Sequence, residues 1–315
     1  MDDRWLDTTG ETIRAGKSGK HEFPANLFLT AKGIRAGWRL LIFATVFFTL
    51  WMVAIFTVGA ILRPAPGVFS PSFQFFGELA SFIAALIAAW IMSGLEQQPF
   101  GMYGLPARGM FGKLFLLGGL FGLSEISLLI GILAACGSYS FGHVTEHGSE
   151  LAKWALFWAG FFLVVACTEE FLFRGYALYT LAQGVRFWPA AVLLAAGFGG
   201  VHYRNPGENW TGVASVFLVG LFWSFTVKRT GTLWFALGMH ACFDFSETFL
   251  FSVPDSGMVF PGHLSNAALH GPAWLTGGTA GPEASVFDFA ILILFFVAIH
   301  FLFPAKPSSG GQQTD

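Results

Sequence analysis

Residues 154–175 read WALFWAGFFLVVACTEEFLFRG, and this stretch decides the fold. Trp154–Ala166 is thirteen residues without a charge. With its apolar continuation it approaches the ~20 residues that a bilayer-spanning helix needs. Two adjacent carboxylates, Glu169 and Glu170, and a guanidinium, Arg174, then stand among phenylalanines. A charge at the centre of a bilayer costs at least ~2.5–3.5 kcal/mol on insertion scales, so a charge placed there is first read as functional.

The rest of the chain is of the same kind. Its 315 residues are 54% hydrophobic and 11% charged, where a soluble domain carries about 25% charge. Mean hydropathy is +0.62. These values predict a multi-pass membrane protein of all-α class whose lasting partner is the lipid bilayer. The net charge of -2 gives no reason to expect nucleic acid. Cys136, Cys167 and Cys242 lie in apolar runs without metal-ligand spacing and read as small buried hydrophobes. The polar first forty residues do not read as a signal peptide.

Charge-free length predicts about eight spans: roughly 40–62, 73–95, 111–136, 154–173 (continuing to about 182), 187–203, 210–227, 232–252 and 286–303. They divide the chain into a tail over 1–37, a membrane domain over 38–303 with a motif core at about 150–250, and a tail over 304–315. With the N-terminus inside, the cytoplasmic segments hold fourteen Lys and Arg, among them Arg35, Arg39, Arg108, Lys113, Arg174, Arg186, Lys228 and Arg229. The opposite side holds three, Arg63, Lys153 and Arg204. The bias predicts both termini in the cytoplasm of a cell membrane, the plasma membrane in a bacterium.

The ionisable residues within these spans are few. Glu78, Asp288 and His300 stand near span ends and read as side chains that reach the interface. Glu125 and Glu247 are deeper, as packing or accessory groups. Glu170 and Arg174 are four apart and can pair on one helix face, while Glu169 is rotated by about 100° and is left free to act as a base. His240 and Asp244 are also four apart, and His202 closes the glycine-rich GFGGVH. Two chemistries fit. Glu169 could take a proton from water oriented by His202, with His240 and Asp244 facing the oxyanion of a tetrahedral intermediate. Alternatively Glu169, His202 and His240 could be the three protein ligands of a divalent metal such as zinc. Both hydrolyse a peptide bond. HVTEH at His143–His147 fits a zinc-peptidase pattern, but it is bracketed by Gly142 and Gly148 in a loop and reads as coincidence.

At these residues the chain resembles the CPBP family of intramembrane proteases, the type II CAAX prenyl endopeptidases and bacteriocin-processing (Abi) proteins. Its E-E-x-x-x-R motif is matched by Glu169, Glu170 and Arg174, its F-x-x-x-H by Phe198 and His202, and its H-x-x-x-N/D by His240 and Asp244. The resemblance covers about residues 150–250. It implies an eight-helix fold, catalytic Glu169, Glu170, His202, His240 and Asp244, structural support from Arg174 and Phe198, and a membrane-associated protein or peptide substrate, CAAX-type or prenylated in some relatives. Asp244 stands where CAAX-cleaving relatives commonly have Asn, so it either is protonated or orients His240. A non-catalytic scaffold or bacteriocin-immunity protein is the alternative function; a proton relay lacks the paired, broken helices of transporters. Depth arithmetic adds one requirement: the fourth helix must run from about 154 to 182, past Gly175, for Glu169 to reach His202.

Overall fold

The computed structural model describes residues 28–30 and 33–305. The predicted tails lie mostly outside that range. Nine helices carry the fold: α1 (Ala36–Leu62), α2 (Pro71–Glu96), α3 (Lys113–Ala135), α4 (Gly148–Glu170), α5 (Leu178–Val185), α6 (Phe187–His202), α7 (Trp210–Thr230), α8 (Trp234–Phe245) and α9 (Val286–Leu302). Each predicted span falls on one helix or one continuous helical rod. Five rods are long and apolar enough to cross a membrane, and α6 and α9 are shorter apolar helices. The only strands among the described residues are two-residue pairs, such as Tyr139–Ser140 against Ala268–Leu269. The chain is a multi-pass helical membrane protein. Helices are the form that lets such a backbone satisfy its own hydrogen bonds where no water is available.

Local sequence sets the boundaries. Ser70 accepts from the Phe73 amide at the start of α2, with Pro71 in the first turn. The Asn209 side chain accepts from the Thr211 and Gly212 amides. Gly231, in the left-handed conformation, ends α7.

The predicted long helix is present in altered form. α4 begins at Gly148 and the rod continues to Val185, but it is not a straight α-helix. Phe171–Ala177 forms a π-helical turn in which Gly175 leaves helical geometry, with ψ -107. A Cβ at Gly175 would lie 3.0 Å from the Tyr103 carbonyl oxygen and 2.9 Å from the Phe171 ring. Glycine thus allows both the kink and the close approach of the loop after α2. A second π-helical turn, Ser246–Leu250, extends α8. Wide turns of this kind recur at functional sites.

The tightest packing is α3 on α8. A Cβ at Gly118 would stand 2.0 Å from the Phe235 carbonyl oxygen, one at Gly122 2.1 Å from that of Met239, and one at Gly238 2.0 Å from that of Phe115. Only glycine fits these three places, and the small residues let the two backbones touch. This contact fixes the height of α8, and with it His240.

Three expectations are corrected. Arg174 is not in a cytoplasmic segment; it is 1% exposed inside the bundle, which leaves thirteen Lys and Arg against three. Asp288 does not reach an interface: it is 2% exposed and accepts from the Ser215 hydroxyl at 3.2 Å. Glu78 likewise faces an internal cavity. His300 is exposed beside Arg229 as expected. Cys136 is exposed, and Cys167 and Cys242 are half-buried, so the buried-hydrophobe reading of the cysteines was too simple.

Candidate active site

Three helices and the π-turn bring the site together. α4 supplies Glu169 and Glu170, the π-turn Arg174, α6 Phe198 and His202, and α8 His240 and Asp244. Glu170 is fully buried, and its Oε1 accepts from Arg174 Nη1 at 3.0 Å and lies 3.1 Å from His240 Nδ1. The opposite imidazole nitrogen, Nε2, is 3.2 Å from Asp244 Oδ2 and 3.7 Å from Glu169 Oε2. His202 Nε2 is 4.0 Å from the same Glu169 oxygen. The predicted constellation is therefore one cluster, and the kink at Gly175 does not separate Glu169 from His202.

The two glutamates have different surroundings, as their spacing predicts. Glu170 is held from two sides. Glu169 is 28% exposed and lines the cavity, where Glu170 is fully buried; Oε2 of each has no hydrogen-bond partner. The Arg174 guanidinium carbon lies 4.0 Å from the Phe198 ring centroid and 5.2 Å from that of Trp223. Gly220 makes room for it, since a Cβ there would be 2.6 Å from Arg174 Nη2. Phe198 has a second use. Its carbonyl accepts from His202 Nδ1 at 2.9 Å, so the proton of a neutral His202 is on Nδ1 and its Nε2 lone pair turns toward Glu169.

Trp223 of α7 packs on the site, stacked on His240 with ring centroids 4.3 Å apart. A cavity of about 410 Å³ joins these groups to more acid. Glu125, Asp255, Glu283 and Asp288 line its wall, and Glu125 Oε2, Glu283 Oε2 and Asp288 Oδ1 have no hydrogen-bond partner. Outside the helices, burial pushes the Glu283 carboxyl up to about 7 against the opposing Ser256 amide, and burial with nearby Asp244 raises Asp255. Reading spans singly left Asp255 and Glu283 out, because they stand in the last loop. His143 and His147 share no helix face: the first is in a loop and the second precedes α4, as the coincidence reading expects.

The metal-ligand alternative is not favoured by the donor geometry. Both His240 nitrogens face carboxylates, Nδ1 toward Glu170 and Nε2 toward Asp244. Among the described residues no three His, Cys, Asp or Glu converge as a metal-binding group.

Residues 151–246 match the family model described as type II CAAX prenyl endopeptidase Rce1-like. This segment is similar to that family. The match coincides with the stretch over which the three motifs carry the resemblance, and it contains every residue of the cluster. That similarity implies intramembrane protease activity in general terms. A comparison with curated proteins gives no match.

Proposed function

We propose that the protein is an endopeptidase that hydrolyses a peptide bond of a membrane-associated protein or peptide within the bilayer, with Glu169 as the base. The observation that carries this reading is the placing of Glu169 Oε2 4.0 Å from His202 Nε2 and 3.7 Å from His240 Nε2, with all three residues lining one cavity. The first gap is too long for a direct hydrogen bond and suits a shared water.

In the proposed cycle His202 orients the water and Glu169 takes its proton as the oxygen attacks the peptide carbonyl carbon. The carbonyl oxygen becomes an oxyanion facing His240, whose donor nitrogen stabilises it in a site screened from bulk water. The intermediate collapses with cleavage of the C–N bond, and the proton held by Glu169 passes to the leaving amine. In this reading Asp244 takes the second of the two roles that its replacement of Asn allows and orients His240, whose Nε2 it faces at 3.2 Å. Glu170 holds the other side of the same ring and is itself held by Arg174, so it positions and does not touch the substrate.

Purified protein and a Glu169→Ala variant, screened against a membrane peptide library, test the reading. Cleavage by the first and none by the second is expected. Equal cleavage by both, or none by either while the cellular phenotype persists, would favour the scaffold function.

A further inference from the structure

The cavity has one closed end and one open end, and the fold says which is which. At one end of the bundle Arg39 pairs with Glu96 and Gln183, Arg229 meets His300, and Leu233 bonds to Gly104. At the other, Asn205 bonds to Ser256, Asn209 to Gly277 and Thr145 to Leu264. Every loop contribution to the cavity comes from this second end: Phe69, Asn205, Asp255–Phe260 and Glu283. Its rim residue Val259 is 73% exposed. On the way to the first end the site meets a buried aromatic floor. Phe171, Tyr176 and Tyr103 are at most 1% exposed, and both tyrosines hydrogen-bond to Glu96.

The two ends also differ in charge. Arg35, Arg39, Arg108, Lys113, Arg186, Lys228 and Arg229 stand at the closed end, and Arg63, Lys153 and Arg204 at the open one. Basic residues flanking spans stay in the cytoplasm. We propose that the site opens away from the cytoplasm, and that its substrate is a polypeptide segment on the outer side of the membrane instead of a prenylated cytoplasmic tail. The substrate part of this inference rests on the hydrolytic reading; the access path does not. A cytoplasmic tail would meet the aromatic floor. A segment approaching from the outer side meets Val259 and Gln74, both exposed and both lining the cavity.

Cysteine accessibility tests this. In a chain with Cys136, Cys167 and Cys242 replaced by Ala, single variants Val219→Cys (cavity wall), Val259→Cys (rim) and Met110→Cys (the loop at the closed end) are exposed to a charged, membrane-impermeant methanethiosulfonate. The reagent is applied to intact cells and to inverted vesicles. We expect Val219→Cys and Val259→Cys to be modified in cells with loss of modification in inverted vesicles, and Met110→Cys to behave the opposite way. Modification of Met110→Cys in intact cells would overturn the orientation. With Met110→Cys as expected, any other pattern at Val219→Cys, including none from either side, would overturn the outward opening. Labelling does not depend on cleavage. A protein that labels as expected yet cleaves nothing would refute the hydrolytic reading and leave the access path standing.

Discussion

At Glu169 and Glu170 one step along a helix, about 100° of rotation, separates a fully buried carboxylate whose Oε1 meets Arg174 and His240 from one that lines the cavity. That difference yields opposite expectations for the two residues. Glu169→Gln keeps shape and burial and removes the base, so cleavage should fall by ~10²–10⁴-fold with the melting temperature unchanged. Arg174→Met should act on folding first. It leaves Glu170 as a buried charge with one partner fewer, a change that costs roughly 3–5 kcal/mol when a buried pair is broken; thermal unfolding in detergent reads it. Arg174→Lys should recover little, because a lysine cannot lie flat on Phe198 and bond to Glu170 at once. Asp244→Asn retains an acceptor for His240 Nε2 and should keep more activity than Asp244→Ala. If the two variants cleave equally, Asp244 does not orient the ring.

Among the elements, α3 and α8 are the pair whose contact the site depends on. Gly122→Leu would drive a side chain into the Met239 carbonyl and displace α8 with His240. Overpacking of this kind costs ~1–3 kcal/mol, and the variant should lose activity more steeply than stability. The GxxxG spacing of Gly118 and Gly122 was visible in the sequence, but its partner Gly238 was not, because a helix contact across more than a hundred residues leaves no local signal. The kink at Gly175 was hidden for a related reason. Length required a rod past that glycine, while the π-turn depends on the loop carrying Tyr103. The Glu283 turn, which bonds the Ser256 amide at the cavity rim, gives a pH prediction. Its carboxyl is raised from an ordinary 4.5 to about 7, so the native state holds a proton that the unfolded chain releases. Stability should therefore fall as pH rises through that window and level off above it. Glu283→Gln should flatten the profile, and an unchanged slope would refute the assignment.

For the whole molecule, the spans, the all-helical class and the three motifs were legible because each is local: apolar length marks a span and four-residue spacing marks a shared face. What needed three dimensions was the convergence of distant elements, namely Trp223 on His240, Asp288 and Glu283 into the cavity, and the burial of Arg174. The charge split along the sequence acquires its consequence only once the cavity's open end is known. The central claim is that the cluster activates water through Glu169. It is tested most directly by incubating one cleaved peptide in isotopically labelled water with the wild-type protein and with Glu169→Gln, and weighing the products. The account predicts a new carboxyl terminus carrying the label with the wild-type protein and ~10²–10⁴-fold slower product formation with the variant. Labelled product formed by Glu169→Gln at the wild-type rate would contradict it.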